Sequence, residues 1–132
     1  MSTSMIFYTA NTGVALIDTA NSNLDGSGTI VDVITGASNG TYIKSITIKA
    51  AGSTSEGMVR LYIRPSGGGT DLLFREIYIP ATTQTGVVPA FATMIQASFS
   101  IDSGDVVSAS TQNSDAFVIT ADGLDFESCD CV

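Results

Sequence analysis

The chain has 132 residues, with 13 acidic and 5 basic side chains, a net charge of −8 and no histidine. That length suits one domain that buries a core without disulfides or metals. The acidic balance excludes strong binding to nucleic acid or to an anionic membrane surface, and no apolar run approaches the roughly 20 residues of a membrane helix.

The first residues, MSTSMIFYTA, lack the basic start and apolar core of a signal peptide. We therefore expect a product that is made and kept in a cytoplasm. Residues 1–12 include four consecutive apolar side chains, Met5, Ile6, Phe7 and Tyr8. Such a segment either forms an edge strand of the chain's own sheet or docks as an arm on a neighbouring subunit, because an exposed apolar terminus promotes association. These four residues are candidate contacts with another subunit or with a larger assembly.

Short runs of alternating apolar residues recur along the rest of the chain, separated by clusters of Gly, Asn, Asp and Ser. This pattern is typical of a β-sandwich or barrel, and eight strands are typical of a jelly roll. The sequence predicts a single all-β domain over residues 13–126, an antiparallel, eight-stranded, jelly-roll-like β-sandwich. The predicted strands are residues 13–19, 28–35, 41–50, 58–64, 71–79, 91–101, 106–110 and 116–121.

Two of these strands carry predictions about their faces. The apolar positions of residues 58–64 alternate and predict an inner face, so Arg60, Tyr62 and Arg64 are expected to face outward. Residues 71–79 are apolar on both faces, which predicts a central strand or a strand at an interface.

The stretch NSNLDGSGTIVD, residues 21–32, has nearly the spacing of a calcium loop, D-x-[DN]-x-[DN]-G-x₅-E. Asn21 replaces the first Asp, Asp32 replaces the final Glu, and residues 28–35 are predicted as a strand instead of a helix. A strand would carry Asp32 away from the other oxygens. We therefore predict a turn and no metal site.

Residues 127–132 are predicted to form a flexible tail with two cysteines, Cys129 and Cys131. They are either simple thiols on a frayed end, half of a metal site completed by other subunits, or partners in an intermolecular disulfide. One C-x-C in a chain without histidine cannot supply four zinc ligands. The two residues remain candidate intermolecular thiols.

Little in the sequence indicates catalysis. The absence of histidine removes the commonest general base, and no serine has the G-x-S-x-G context of a nucleophile. Lys44 and Lys49 fall in a predicted strand, and Asp122 and Asp125 are the nearest candidates for paired carboxylates. Asp122 and Asp125 are predicted to lie in a turn near the C-terminus, where carboxylates are usually solvated. We therefore predict neither an enzyme nor a bound cofactor.

Two segments resemble small β-sandwich virion proteins of tailed bacteriophages and related prophages. Residues 19–63 read TANSNLDGSGTIVDVITGASNGTYIKSITIKAAGSTSEGMVRLYI, and residues 110–126 read STQNSDAFVITADGLDF. The family pattern has a TANTNLDGTG turn, an I-x-I-K-A strand, a T-x-x-G-x-V-R-L-x-I strand and a closing A-S-T-x-N strand. The MIFYTA start and the ESCDCV end lie outside this shared pattern.

The resemblance implies a capsid decoration or cement protein, which binds the outer surface of a phage head and stabilises the shell. Its partner would be the major capsid protein, it would act as a homotrimer, and it would join a virion assembled in the host cytoplasm. The alternative is a tail, head–tail or fibre-type component, the last of which would bind a host receptor or glycan. Sugar-binding sites usually present aromatic rings, and the chain has no Trp and only 4 Tyr.

Overall fold

The computed structural model describes the backbone of residues 3–131 and the side chains of residues 8–127. Eight β-strands form two antiparallel four-stranded sheets, and no helix occurs in the described part of the chain. The predicted all-β, single-domain sandwich is therefore confirmed. The strands are β1 (Thr3–Ile17), β2 (Val31–Thr35), β3 (Thr41–Ala50), β4 (Gly57–Arg64), β5 (Leu72–Ile79), β6 (Ala92–Ile101), β7 (Val106–Thr111) and β8 (Phe117–Cys131).

The strand order is that of a jelly roll. The first sheet has the order β1-β8-β3-β6 and the second has the order β2-β7-β4-β5. The first strand thus pairs with the last, the second with the seventh, the third with the sixth and the fourth with the fifth, as in one long hairpin rolled into two sheets. No helix among the described residues is long and apolar enough to span a membrane.

The core lies between the sheets and consists of alternate residues of the inner strands. Because successive side chains of a strand point to opposite faces, Ile46, Ile48 and Ala50 of β3 lie inward and the polar residues between them lie outward. A register shift between Ile43 and Ser45 places Ile43 on the same inner face. Full burial of one such aliphatic side chain stabilises the fold by roughly 1.5–3 kcal/mol. Residues of the two inner faces with no exposed surface are Ile43, Ile46, Ile48, Ile119 and Ala121 of the first sheet, and Val59, Leu61, Val107 and Ala109 of the second.

The two ends of the chain form one pair of strands. β1 and β8 are 15 residues each and pair along their whole length, as far as Thr3 opposite Cys131. β1 thus runs across residue 13, and residues 3–12, which are predicted as an arm or an edge strand, lie in β1 at the edge of the first sheet. Residues 127–131, which we expected in a tail, continue β8. Pairing between segments so far apart in sequence leaves no local pattern in either one.

Arg60 and Tyr62 are predicted to face outward from the core, but both side chains are buried. The loop that joins β1 to β2, residues 18–30, lies over the outer face of the second sheet. The Tyr62 hydroxyl donates a hydrogen bond to the carbonyl oxygen of Asn23 in that loop, at 3.1 Å. Alternation predicts the face of a residue, and it does not predict a loop that later covers that face.

The expectation that residues 71–79 form a central strand is wrong, because β5 lies at the edge of the second sheet. Its side chains are mostly exposed, including those of Leu72 and Tyr78. Apolar residues on both faces of a strand indicate that both faces are covered, but they do not indicate whether the cover belongs to the same chain. The interface alternative for this strand stays a prediction.

Candidate interaction surfaces

The loop over the second sheet is closed by one buried side chain, that of Asn21. Its Nδ2 donates hydrogen bonds to the carbonyl oxygens of Ser27, at 2.9 Å, and of Thr29, at 3.0 Å. Its Oδ1 accepts a hydrogen bond from the backbone N–H of Asn23, at 3.0 Å. This geometry fits Asn because a donor and an acceptor are both needed at the same place.

The other oxygens of the calcium-like pattern bond to different parts of the protein. The Asp25 carboxylate accepts hydrogen bonds from the hydroxyl and the backbone N–H of Ser27, and these bonds lower the pKa of Asp25. Asp32 pairs instead with Arg64, at 3.0 Å, and this hydrogen bond raises the pKa of Arg64. Within the described residues, no three acidic or cysteine side chains come close enough to hold a metal ion.

The candidate carboxylates Asp122 and Asp125 do not form a pair. They are three residues apart in β8, so strand alternation places them on opposite faces of the first sheet. Asp125 accepts hydrogen bonds from Asn11 Nδ2, at 3.0 Å, and from Thr41 Oγ1, at 2.7 Å. These bonds connect β1, β3 and β8, so Asp125 has a structural role.

The outer face of the first sheet carries uncovered apolar side chains. Val14, Leu16 and Met94 are 62%, 53% and 61% exposed, although all three lie within strands. In the sheet register Val14 pairs with Thr120, Thr120 with Thr47, and Thr47 with Met94, so one row of the face is apolar at both ends and hydroxyl-bearing between them. We call this surface the outer-face patch, defined as Val14, Leu16, Thr47, Met94, Val118 and Thr120.

Charges on this face are few and partly basic. Lys44 and Lys49, the two lysines of the chain, both lie on β3 and are exposed. Asp122 of β8 is half-buried on the same face and pairs with Ser45. In a chain of net charge −8, the outer-face patch is therefore a surface with little negative charge.

The free edge of β5 forms a second exposed surface. An open groove of about 340 Å³ is lined by Leu73, Phe74, Arg75 and Glu76. Phe74 packs edge-on against Phe99 of β6, with ring centroids 5.5 Å apart, and this contact joins the edge strands of the two sheets. We call residues 72–79 and this groove the β5 edge.

The terminal segments predicted as candidate contacts meet in one structure. Tyr8 is exposed, and its ring lies 5.5 Å from that of Phe126 on β8. The side chains of Met5, Ile6, Phe7, Cys129 and Cys131 lie outside the described residues, but the backbone register places Met5 opposite Cys129. The candidate apolar segment and the candidate thiols thus belong to the same strand pair, which neither segment predicts by itself.

This strand pair extends past the body of the first sheet. Pairing between β3 and β8 ends where Thr41 meets Asp125, so beyond Phe126 the described part of β8 has β1 as its sheet partner. Residues 127–131 add about 16 Å to the strand at 3.3 Å per residue. We call residues 3–8 and 126–131 the terminal ribbon.

The fold and its surfaces define a jelly-roll β-sandwich with an uncovered apolar sheet face, a free apolar edge and a two-stranded ribbon. No family model matches the sequence, and no curated protein matches it. Among solved structures, the fold is similar to that of a chain in the acidic stable capsid structure of Helicobacter pylori bacteriophage KHP30. The TM-score is 0.54 and the identity is 10%, over 98% of this chain and 100% of that chain. At this identity the similarity is one of fold, and it extends over both chains from end to end.

Proposed function

We propose that the chain is a structural protein of a tailed-bacteriophage virion, and that it binds the outside of the head as a decoration or cement protein. The observation that carries this proposal is the fold match, which takes in the whole of a chain from a phage capsid. The resemblance of residues 19–63 and 110–126 to phage virion proteins supports the same role independently.

The surfaces of the molecule suit binding by burial of area. A cement protein needs a rigid body and apolar contact patches, and it needs no reactive group. The outer-face patch offers apolar and hydroxyl side chains on a four-stranded sheet, where the backbone is already ordered and loses little entropy on binding. Many copies on one shell would also add weak contacts into a durable attachment. The partner is the major capsid protein, and the chain acts as a homotrimer without cofactor or catalysis.

The copy number in purified virions tests the role. Quantitative mass spectrometry would compare this chain with the major capsid protein. A simple ratio to the shell protein is expected for a decoration protein. A copy number far below that of the shell protein would move the chain to the tail or to a fibre, and absence from particles would contradict both virion roles.

Reconstitution would identify the surface that meets the shell. Heads produced without this protein would be mixed with wild-type chain, with Met94→Lys, or with Val87→Lys as a matched control. Val87 is 93% exposed but lies in a loop outside the outer-face patch. We expect the Met94 variant to bind heads at least tenfold more weakly, because a lysine side chain at a packed contact must be desolvated. Equal binding by both variants would exclude the outer-face patch as the shell contact.

A further inference from the structure

The β5 edge lacks a partner that its composition calls for. In the described part of the structure β5 pairs with β4 alone, so its other edge presents unpaired backbone N–H and C=O groups. Natural edge strands are usually short or carry charges that discourage pairing. β5 has eight residues and exposes Leu72, Phe74 and Tyr78, and its charged residues are one adjacent pair of opposite sign, Arg75 and Glu76. A free apolar edge of this kind is what an added strand requires.

Among the described strands, the two strands of the terminal ribbon pair only with each other. Outside the sandwich it has two strands, and a two-stranded ribbon is marginally stable in water. Its sequence includes the apolar run Met5 to Tyr8, and Tyr8 is exposed. A third strand along one of its edges would pair the backbone groups of that edge.

The charges of the two surfaces are complementary. Residues 126–131 contain two acidic residues, Glu127 and Asp130, and residues 3–8 contain no charged side chain. The β5 edge carries two adjacent charged residues, Arg75 and Glu76. Glu76 forms an ion pair with Arg60 at 3.9 Å, whereas Arg75 is exposed and makes no salt bridge with any described residue, so Arg75 is the uncompensated charge of this edge. Pairing ribbon with ribbon would oppose like charges, and pairing β5 with β5 would leave the ribbon uncovered.

We propose that the terminal ribbon of one copy adds to the β5 edge of a second copy as a continuation of its second sheet. The contact uses different surfaces on the two molecules, so it is heterologous and generates a ring when the rotation closes. It is thus a specific contact for the homotrimer of the proposed function. The inference rests on that oligomer but not on the role in a virion.

Cysteine trapping tests the contact with the thiols that the ribbon already carries. Leu72→Cys and Tyr78→Cys would each place a thiol on an exposed position near one end of the β5 edge. Under mild oxidation by diamide, we expect at least one of them to form an intermolecular disulfide with Cys129 or Cys131. Non-reducing electrophoresis would reveal the linked species, and peptide mass mapping would identify the joined residues.

Two controls decide what a cross-link means. Met94→Cys places an equally accessible thiol on the outer-face patch, and we expect it to remain unlinked to the ribbon. The β5 variants would also be made with Cys129 and Cys131 replaced by Ser, which should abolish linkage. Linkage that persists without the native thiols would mean pairing of β5 with β5. No linkage from either β5 variant, or equal linkage from Met94→Cys, would overturn the proposal.

The oligomeric state gives a second, independent measurement. By analytical ultracentrifugation we expect wild-type chain to sediment as an oligomer and Leu72→Lys as a monomer, because a lysine on the edge opposes strand addition. Val14→Lys, with a similar exposure on the first sheet, should keep the wild-type size. A monomeric wild-type chain at high concentration would overturn this inference, while a copy number matched to the shell would leave the virion role standing.

Discussion

The substitution Asn21→Ala tests whether a single side chain closes the loop over the second sheet. It removes the two hydrogen bonds donated by Nδ2 and the one accepted by Oδ1. A hydrogen bond contributes a net of about 1 kcal/mol, and water can replace part of it here because the backbone groups belong to exposed residues. We therefore expect the free energy of unfolding to fall by about 2 kcal/mol. For a domain of this size that corresponds to a Tm lower by about 7 °C.

Asn21→Asp separates the turn from a calcium loop. It keeps the acceptor for the N–H of Asn23 but places a charged oxygen against two carbonyl oxygens. A calcium site would gain its standard first ligand from this change. We expect the Asp variant to be at least as destabilised as the Ala variant and to be indifferent to calcium and to EDTA.

Urea unfolding followed by far-UV circular dichroism measures both Asn21 variants, with and without calcium. An Asn21→Ala variant within about 0.5 kcal/mol of wild type would contradict the assignment of the loop closure to this side chain. Recovery of the Asp variant on adding calcium would refute the turn interpretation.

Three further predictions concern other parts of the fold. Gly13→Ala is expected to cost about 2 kcal/mol in urea unfolding, because its Cβ would strike a backbone carbonyl oxygen of β2, whereas Gly86→Ala, with open space around it, should be neutral. Arg60→Met should be neutral or more stable by about 1 kcal/mol, because Nε and Nη1 of this buried guanidinium have no hydrogen-bond acceptor among the described residues and its ion pair with the exposed Glu76 is long, at 3.9 Å. A clear loss in thermal stability would contradict this. Ser27→Ala should raise the pKa of Asp25 toward its ordinary value in an NMR titration. Since folding lowers that pKa, the stability from these bonds is present above the unfolded pKa and is lost as the pH falls through the folded one.

Strand positions could be predicted from the sequence because alternation is a local property. The third strand was predicted at residues 41–50 and runs from Thr41 to Ala50, and the sixth was predicted at 91–101 and runs from Ala92 to Ile101. On β6 the alternation is visible as half-buried residues, such as Ile95, between exposed ones. β6 keeps its period of two along its length, whereas in β3 a register shift between Ile43 and Ser45 moves the buried positions from 41 and 43 to 46, 48 and 50.

Pairing and covering could not be predicted in the same way, because they depend on distant segments. The partner of β1 lies at the other end of the chain. The sequence of residues 3–12 alone is therefore consistent with both an arm and an edge strand. Tyr62 has the sequence position of an outward residue, and only the hydrogen bond to the Asn23 carbonyl shows that a loop covers it. The calcium-loop pattern concerns only the side-chain oxygen of Asn21, whereas in the structure its Nδ2 also donates two hydrogen bonds.

The two sheets differ in what covers their outer faces. This difference indicates which surfaces of the molecule a partner would cover. On the second sheet, Arg64 is engaged by Asp32 and Asp71, Ser108 also donates to Asp71, and the loop after β1 closes over Tyr62. Apart from Nε and Nη1 of Arg60, these polar groups find their partners within the chain itself. The first sheet has no such loop among the described residues, and its outer face keeps apolar side chains in water. A monomer gains nothing from that exposure, so the outer-face patch and the β5 edge are the surfaces whose composition a partner would explain.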